Sequence, residues 1–189
     1  MPMIREAIIT TVSPAGKVHV APFGLIAEGN RWVIAPFRPS TTLDNLIAVP
    51  YAVANFTDDV RLFAGCLTGR RDWPLVPASK IAVSRIADAL AHAELAVEKV
   101  AEDAARPRFV CGIVHEETHA PFGGFNRAKA AVIEACILLS RLHMLPRQKV
   151  EQELAYLTIS VEKTAGPEEA QAWSWLMDEV KARYATAGS

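Results

Sequence analysis

The sequence predicts a mainly β fold with added α: a small antiparallel barrel followed by a helical unit. Three observations carry this. Near the N-terminus, three β-branched runs are joined by very short connections, which is the pattern of an antiparallel meander. Residues 86–100 alternate between apolar and polar side chains, and 107–117 look like their hairpin partner. From Asn126 onward the apolar spacing becomes helical.

The elements follow in order. Residues 4–12 (IREAIITTV) form a first strand that ends at the turn cluster Ser13-Pro14-Ala15-Gly16. Residues 17–27 resume as a second strand, with Val18 and Val20 on one side and Lys17 and His19 on the other. Glu28-Gly29-Asn30 turns the chain into a third strand over 31–37. Ser40-Thr41-Thr42 then precede Leu43 and Leu46, three apart, as in a capped short helix. Residues 50–57 return to a strand, 58–66 suit a short helix begun by acids, and 67–79, with Gly69, Pro74 and Pro77, read as a loop.

The stretch 86–100 is alanine-rich, which favours helix, yet Asp88, His92, Glu94 and Glu98 alternate with small apolar residues. Period two decides for a long strand. Helices are predicted over 126–143, 146–163 and 167–184. The first is apolar nearly all round except for Arg127, Glu134 and Arg141; the last has Pro167-Glu168-Glu169 at its start and Lys181 and Arg183 near its end, matching the dipole. The expected division is a barrel over 1–120 and a three-helix unit over 121–189.

Composition excludes several classes. In 189 residues, 21 acids face 20 bases, for a net charge of −1, and 51% of residues are hydrophobic. A disordered chain needs the opposite balance, and a nucleic-acid binder held by bulk positive charge needs an excess of bases. A chain of this length buries roughly 70% of its unfolded surface, enough to hold a core without disulfide or metal. The N-terminus lacks a signal-peptide pattern and no long window is apolar and charge-free, so no membrane association is expected. Cys66, Cys111 and Cys136 are odd in number and widely spaced, as in buried free thiols of a cytoplasmic protein.

Four strings are chemically suggestive. His115-Glu116-Glu117-Thr118-His119 fits H-E-x-x-H, a zinc-hydrolase signature when both histidines lie on one helical turn. Here it follows a strand-like run and precedes Pro121; on a strand, positions four apart stand about 13 Å apart and cannot share one zinc. No metal site is therefore expected. Arg38-Pro39-Ser40-Thr41-Thr42-Leu43-Asp44-Asn45 offers three hydroxyls, helix-start N–H groups and a guanidinium: either a phosphate cradle or plain capping. Ala21-Pro22-Phe23-Gly24 interrupts a strand, as at a ligand or at a bulge. Arg127 and Lys129 put two cations at a helix start, where the dipole disfavours them. That points to an anionic partner or to a structural stripe of Arg127, Glu134 and Arg141.

In combination, Glu6-x-Ile8-x-Thr10-Thr11, Gly16, Ala21-Pro22-Phe23-Gly24, Ser40 through Leu46, Val53 through Asp59 and Phe125 through Ala135 resemble the DUF447 family of the FMN-binding split-barrel superfamily, over nearly the whole chain. The resemblance implies a six-stranded Greek-key barrel, a homodimer, and FMN at the subunit interface. The T-x-x-N motif beside the flavin phosphate in related flavin reductases corresponds to Thr42-Leu43-Asp44-Asn45. The segment along the flavin ring corresponds to Ala21, Pro22, Phe23 and Gly24. Where relatives often carry Lys-Asp before that threonine, this chain has Ser40-Thr41, so Arg38 or Arg127 is the candidate substitute. Thr10, Thr11, Ser40, Thr41, Thr42, Asn45 and Asn55 complete the implied FMN contacts. The implied activity is an oxidoreductase using flavin for hydride or electron transfer; a non-catalytic flavin carrier or sensor is the alternative, and a zinc hydrolase through His115 and His119 is the less favoured third.

Overall fold

The computed structural model describes residues 2–187. Among them the strands are β1 (Ile4–Val12), β2 (Val18–Glu28), β3 (Arg31–Ile34), β4 (Tyr51–Phe56), β5 (Leu75–Pro77), β6 (Ser84–Ile86), β7 (Ala91–Ala101) and β8 (Arg108–Thr118). The helices are α1 (Thr41–Ala48), α2 (Val60–Leu67), α3 (Arg127–Ser140), α4 (Arg147–Thr164) and α5 (Pro167–Ala187). Six strands close a barrel in the order β1-β2-β3-β8-β7-β4, antiparallel throughout, and β5 and β6 form a separate small hairpin.

Closure follows from alternation. Ala7 and Ile9, Leu25, Ile34, Ala52 and Ala54, Ala93 and Leu95, and Phe109 and Cys111 form one buried cluster contributed by all six barrel strands. Leu43 and Leu46, three apart on α1, join it. The intervening residues of β1, β4 and β7 face the other way, and several of these are also buried: Ile8, Thr10, Val53, Asn55, His92 and Glu94. The β5–β6 hairpin and its flanks cover them. Thr10 Oγ1 donates to the Ser84 carbonyl at 2.6 Å, and the Ile86 N–H donates to Asn55 Oδ1 at 2.8 Å.

The chain divides into two compact units. One holds residues up to Thr57 with Trp73–Phe122; the other holds Asp58–Asp72 and the chain from Gly123 onward. The helix α2 thus belongs with the C-terminal helices, an insertion that a single boundary after residue 120 does not include. In that second unit α2 packs against α3 and α5, and α3 against α4.

Three sequence expectations change in detail. Residues 67–79 are not all loop, because β5 pairs with β6. The strand expected over 86–100 begins at Ala91. The third strand stops at Ile34 rather than residue 37, before Pro36, which has no N–H to continue the ladder. In addition, β1 and β2 keep one unbroken register through Ile8↔Pro22, so no bulge accommodates Pro22. The irregularities lie between β7 and β8, at Glu94/Leu95 and Val97/Lys99.

Candidate functional site

The start of α1 is built as the hydroxyl pattern predicts. Ser40 is the N-cap, and its Oγ accepts from the Leu43 N–H at 3.3 Å. Thr41, the first helical residue, is exposed, while Thr42 and Asn45 are buried. Asn45 Nδ2 donates to Thr11 Oγ1 at 3.0 Å, tying α1 to the end of β1. Arg38 lies just before the helix and is exposed; its guanidinium pairs with Glu102 at 2.7 Å, and its backbone N–H donates to the Ala105 carbonyl.

Asn55 and Thr10 use their polar atoms internally. Asn55 Nδ2 donates to the Ile8 carbonyl at 2.9 Å and the Val53 carbonyl at 3.3 Å, and its Oδ1 accepts from Ile86. These bonds hold the hairpin cover on the barrel wall. On β2, Phe23 shares a face with Leu25 and packs against the barrel core, whereas Pro22 and Gly24 take the opposite face. A side chain at Gly24 would place its Cβ 2.9 Å from Ile4 Cγ2, so close packing across the strand pair explains this glycine. β3 pairs only with Ile26–Glu28, so beside Ala21–Gly24 one edge of β2 has no strand neighbour, the place a strand tolerates proline.

Arg127 belongs to the chain's second unit, where it is exposed at the start of α3. The cation of interest there is Lys129. Its Nζ donates to Asp58 Oδ2 at 2.6 Å and lies 3.7 Å from Glu169. Burial would lower the Lys129 pKa, but the Asp58 hydrogen bond and charge outweigh it and hold it above the ordinary lysine value. The anionic partner expected for Lys129 is thus a pair of acids of the same unit. Asn126 caps the helix, accepting from Ala128 and Lys129 and donating to the Thr164 carbonyl.

A second group of polar side chains sits on the barrel's outer face. His92 lies opposite Glu117, and Glu94 opposite His115, across the β7–β8 pair. His92 and Glu94 are 1% and 0% exposed. Glu94 accepts from three consecutive backbone N–H groups, Ser79 at 2.6 Å, Lys80 at 2.7 Å and Ile81 at 2.9 Å, and its Oε1 lies 3.3 Å from His92 Nε2. Burial alone would raise the Glu94 pKa; the hydrogen bonds from Ser79, Lys80, His92 and Ile81 outweigh it and hold the carboxyl below its usual range. His92 Nδ1 faces His119 Nε2 at 2.9 Å. Burial first, then the charge of Arg85, depress the His119 pKa against the opposing pull of Glu117. The H-E-x-x-H string is strand rather than helix up to Thr118, as expected. Missing from the sequence reading was the neighbouring strand, which brings His92 to both histidines of the string.

Two family models match the chain. The model described as "Protein of unknown function (DUF447) N-terminal domain" covers residues 5–120, and a second, "Protein of unknown function (DUF447)", covers 126–178. The chain belongs to the DUF447 family. No curated protein matches it. Among solved structures, an FMN-bound DUF447 protein of Methanosarcina mazei superposes with TM-score 0.82 at 17% identity, covering 95% of this chain and 96% of that one. A 2-nitrobenzoate 2-nitroreductase from Pseudomonas fluorescens gives TM-score 0.53 at 24% identity, over 63% and 66% of the two chains. An NADH:FAD oxidoreductase from Streptomyces globisporus gives 0.52 at 13%, over 63% and 72%. The DUF447 chain therefore has the flavin reductase-like barrel, with a match to its own family that extends through the helical region.

Within this DUF447 chain the motif residues separate into two roles. Thr10, Thr11, Asn45 and Asn55 are buried and bonded to one another or to the hairpin cover, and Thr42 is buried beside Leu43 on α1. Ser40, Thr41 and Arg38 are the members with outward polar atoms at the helix start. No single string distinguishes these roles, because a threonine that binds a ligand and one that ties a helix to a strand have the same spacing.

Proposed function

We propose that this chain is an FMN-binding flavoprotein that acts as an oxidoreductase, with its phosphate cradle at the start of α1. One observation carries the reading: the chain matches, over nearly its whole length, an FMN-bound member of its own family. The donor set at α1 fits a phosphomonoester. A capped helix start directs N–H groups outward, Ser40 and Thr41 add hydroxyls, and Arg38 is an exposed guanidinium held at the surface by an ion pair with Glu102 and a hydrogen bond to the Asp103 carbonyl. The edge of β2 at Ala21–Gly24 offers backbone groups to an isoalloxazine ring.

Bound FMN supplies the hydride and electron chemistry; the protein supplies position and electrostatics. Asn45 and Thr11 act here as positioning residues, fixing α1 to β1, and Asn55 and Thr10 fix the cover beside β4. Arg127 is not assigned to the cradle. We further infer a cytoplasmic homodimer. Three buried free thiols favour a reducing compartment, and exposed Ile4, Phe37, Ile47 and Tyr51 give the barrel unit apolar surface for a partner copy. No described helix is long and apolar enough to cross a membrane.

The test begins with the visible spectrum of the purified protein and its thermal stability with added FMN. Flavin absorbance, or a rise in melting temperature with FMN, supports the reading; a colourless protein indifferent to FMN defeats it, because a ligand of the native state must stabilise it. Thr41→Glu places a negative charge in the cradle on an exposed position, and should weaken FMN binding at least about tenfold, which is about 1.4 kcal/mol, while leaving the circular dichroism intact. Unchanged affinity would displace the cradle from α1. Bleaching of bound flavin by NADH or NADPH separates a reductase from a passive carrier, and sedimentation analysis reads the dimer.

A further inference from the structure

His92, Glu94, Glu117 and His119 have no part in the flavin proposal, and their arrangement has its own chemistry. Glu94 is fixed by three backbone N–H groups and cannot swing toward an ion without leaving those donors unsatisfied inside the protein. Both Glu94 oxygens already accept from backbone N–H groups, so the hydrogen between Glu94 and a neutral His92 sits on His92 Nε2. This leaves His92 Nδ1 as the lone-pair nitrogen, and it points at His119 Nε2, 2.9 Å away. A buried acid that fixes the tautomer of a histidine and aims its other nitrogen outward is the outer half of a carboxylate–histidine–metal arrangement. Glu117, opposite His92 in the register and half-exposed, has its Oε1 4.0 Å from His119 Nδ1, the ring nitrogen that does not face His92. One ligand atom each from His92, Glu117 and His119 lies within 4.8 Å of the other two.

We propose that His92 Nδ1, His119 Nε2 and the Glu117 carboxylate form a binding site for a divalent transition metal of zinc-like preference, with Glu94 orienting His92. Two nitrogens held at about 2.0–2.1 Å by one tetrahedral zinc stand about 3.3 Å apart. The two rings are parallel and their nitrogens face each other as a hydrogen-bonded pair, so a metal on His92 Nδ1 requires the His119 side chain to swing aside while its backbone N–H stays on the Leu90 carbonyl. Two nitrogens and one carboxylate leave the fourth position open, as in sites where zinc keeps a water or binds a substrate. Arg85 is the cation near His119; its guanidinium is held on the Ile86 and Ala87 carbonyls, and Glu117 opposes its charge.

A competing set, His92, Glu94 and His115, lies on the other side of the His92 ring. It would take Glu94 away from its backbone donors, which is why it is the poorer site. The proposed site also differs from the H-E-x-x-H reading. That reading joins His115 to His119 on one element, whereas here His119 is joined to a residue of the neighbouring strand and His115 is left out.

The experiment titrates zinc chloride into tag-free, chelator-stripped full-length protein by calorimetry, in buffer without FMN, so that failure of the flavin proposal leaves the result unaffected. One zinc ion per chain is expected. His119→Ala should weaken binding by about 100-fold and Glu117→Gln by about tenfold, while His115→Ala stays within about threefold. Both His119 and Glu117 lie at the exposed end of the hairpin, so these variants are expected to fold; His92→Ala, at a buried position, is not needed. Cobalt(II) should give the intense visible bands of a four-coordinate site, lost in His119→Ala. The proposal is overturned by the absence of saturable zinc binding, by a His119→Ala variant that binds as the wild type does, or by loss of binding in His115→Ala with His119→Ala unaffected.

Discussion

Glu94 shows how much one buried carboxylate can depend on its neighbours. It has no exposure, yet it is held ionised by backbone donors from a segment fifteen to thirteen residues earlier in the chain. Replacing Glu94 by Gln keeps the shape but turns an NH2 toward at least one of those N–H groups; a loss of about 1–3 kcal/mol is expected from urea denaturation at pH 7. The sign of the pH dependence follows from its depressed pKa. The folded value lies below the unfolded one, so the stabilisation is fully present above the ordinary glutamate range and disappears as pH falls through the folded value. Wild-type stability should therefore fall more than that of the Glu94→Gln protein between about pH 5 and pH 3; parallel curves would remove Glu94 as the cause. The cysteines offer a second residue-scale expectation. Burial pushes the Cys66 thiol up to about 11 and, with the charge of Glu98 adding, the Cys111 thiol up to about 12. At pH 8 neither should react with a disulfide reagent until denaturant is added. The burial of the thiols was readable from their apolar surroundings. The links from Glu94 to residues 79–81 were not, because nothing local in LVPASKIAV marks three N–H groups that point at one acid.

Elements were legible in proportion to their length and to the presence of a cap. Ser40 and Asp59 each cap a helix at the position their hydroxyl or carboxylate suggests, Asp59 accepting from the Arg61 N–H at 3.0 Å. The strand β7 was legible because alternation survives an alanine-rich composition: Ala93 and Leu95 enter the barrel core while His92 and Glu94 face the cover. The hairpin of β5 and β6 was not, since strands of three residues carry no measurable period and two prolines flank or end the first. The caps give the element-scale prediction. Asn126 both accepts from the first N–H groups of α3 and donates to the Thr164 carbonyl at the end of α4. Ser40 makes a single, longer bond at 3.3 Å. Asn126→Ala should therefore cost about 1–2 kcal/mol and Ser40→Ala nearer 0.5 kcal/mol. Equal losses in equilibrium unfolding would show that the extra bond between α3 and α4 contributes nothing.

For the whole molecule, the barrel and the C-terminal helices were legible as a change from period two to helical spacing near residue 126, but the placement of α2 was not. Its acidic start and short apolar run fit a helix anywhere, and only tertiary contact assigns it to the C-terminal unit. This makes the division of the chain discontinuous, and it has a testable consequence. Val60, Leu62, Phe63, Ala64 and Cys66 of α2 are all buried, and α2 packs on α3 and α5. A chain ending at residue 120 keeps every barrel strand but strips α2 of both partners. Five apolar side chains on one short helix then face water, at about 1.5–3 kcal/mol for each of the larger ones. Such a chain should bind a hydrophobic dye and associate at micromolar concentration. Replacing Val60, Leu62 and Phe63 by polar residues in the same truncated chain should restore a monodisperse barrel, because none of the three belongs to the cluster that fills the barrel. If the unaltered truncated chain is already monodisperse and dye-free, α2 does not depend on the C-terminal helices, and a continuous boundary near residue 120 is the better description.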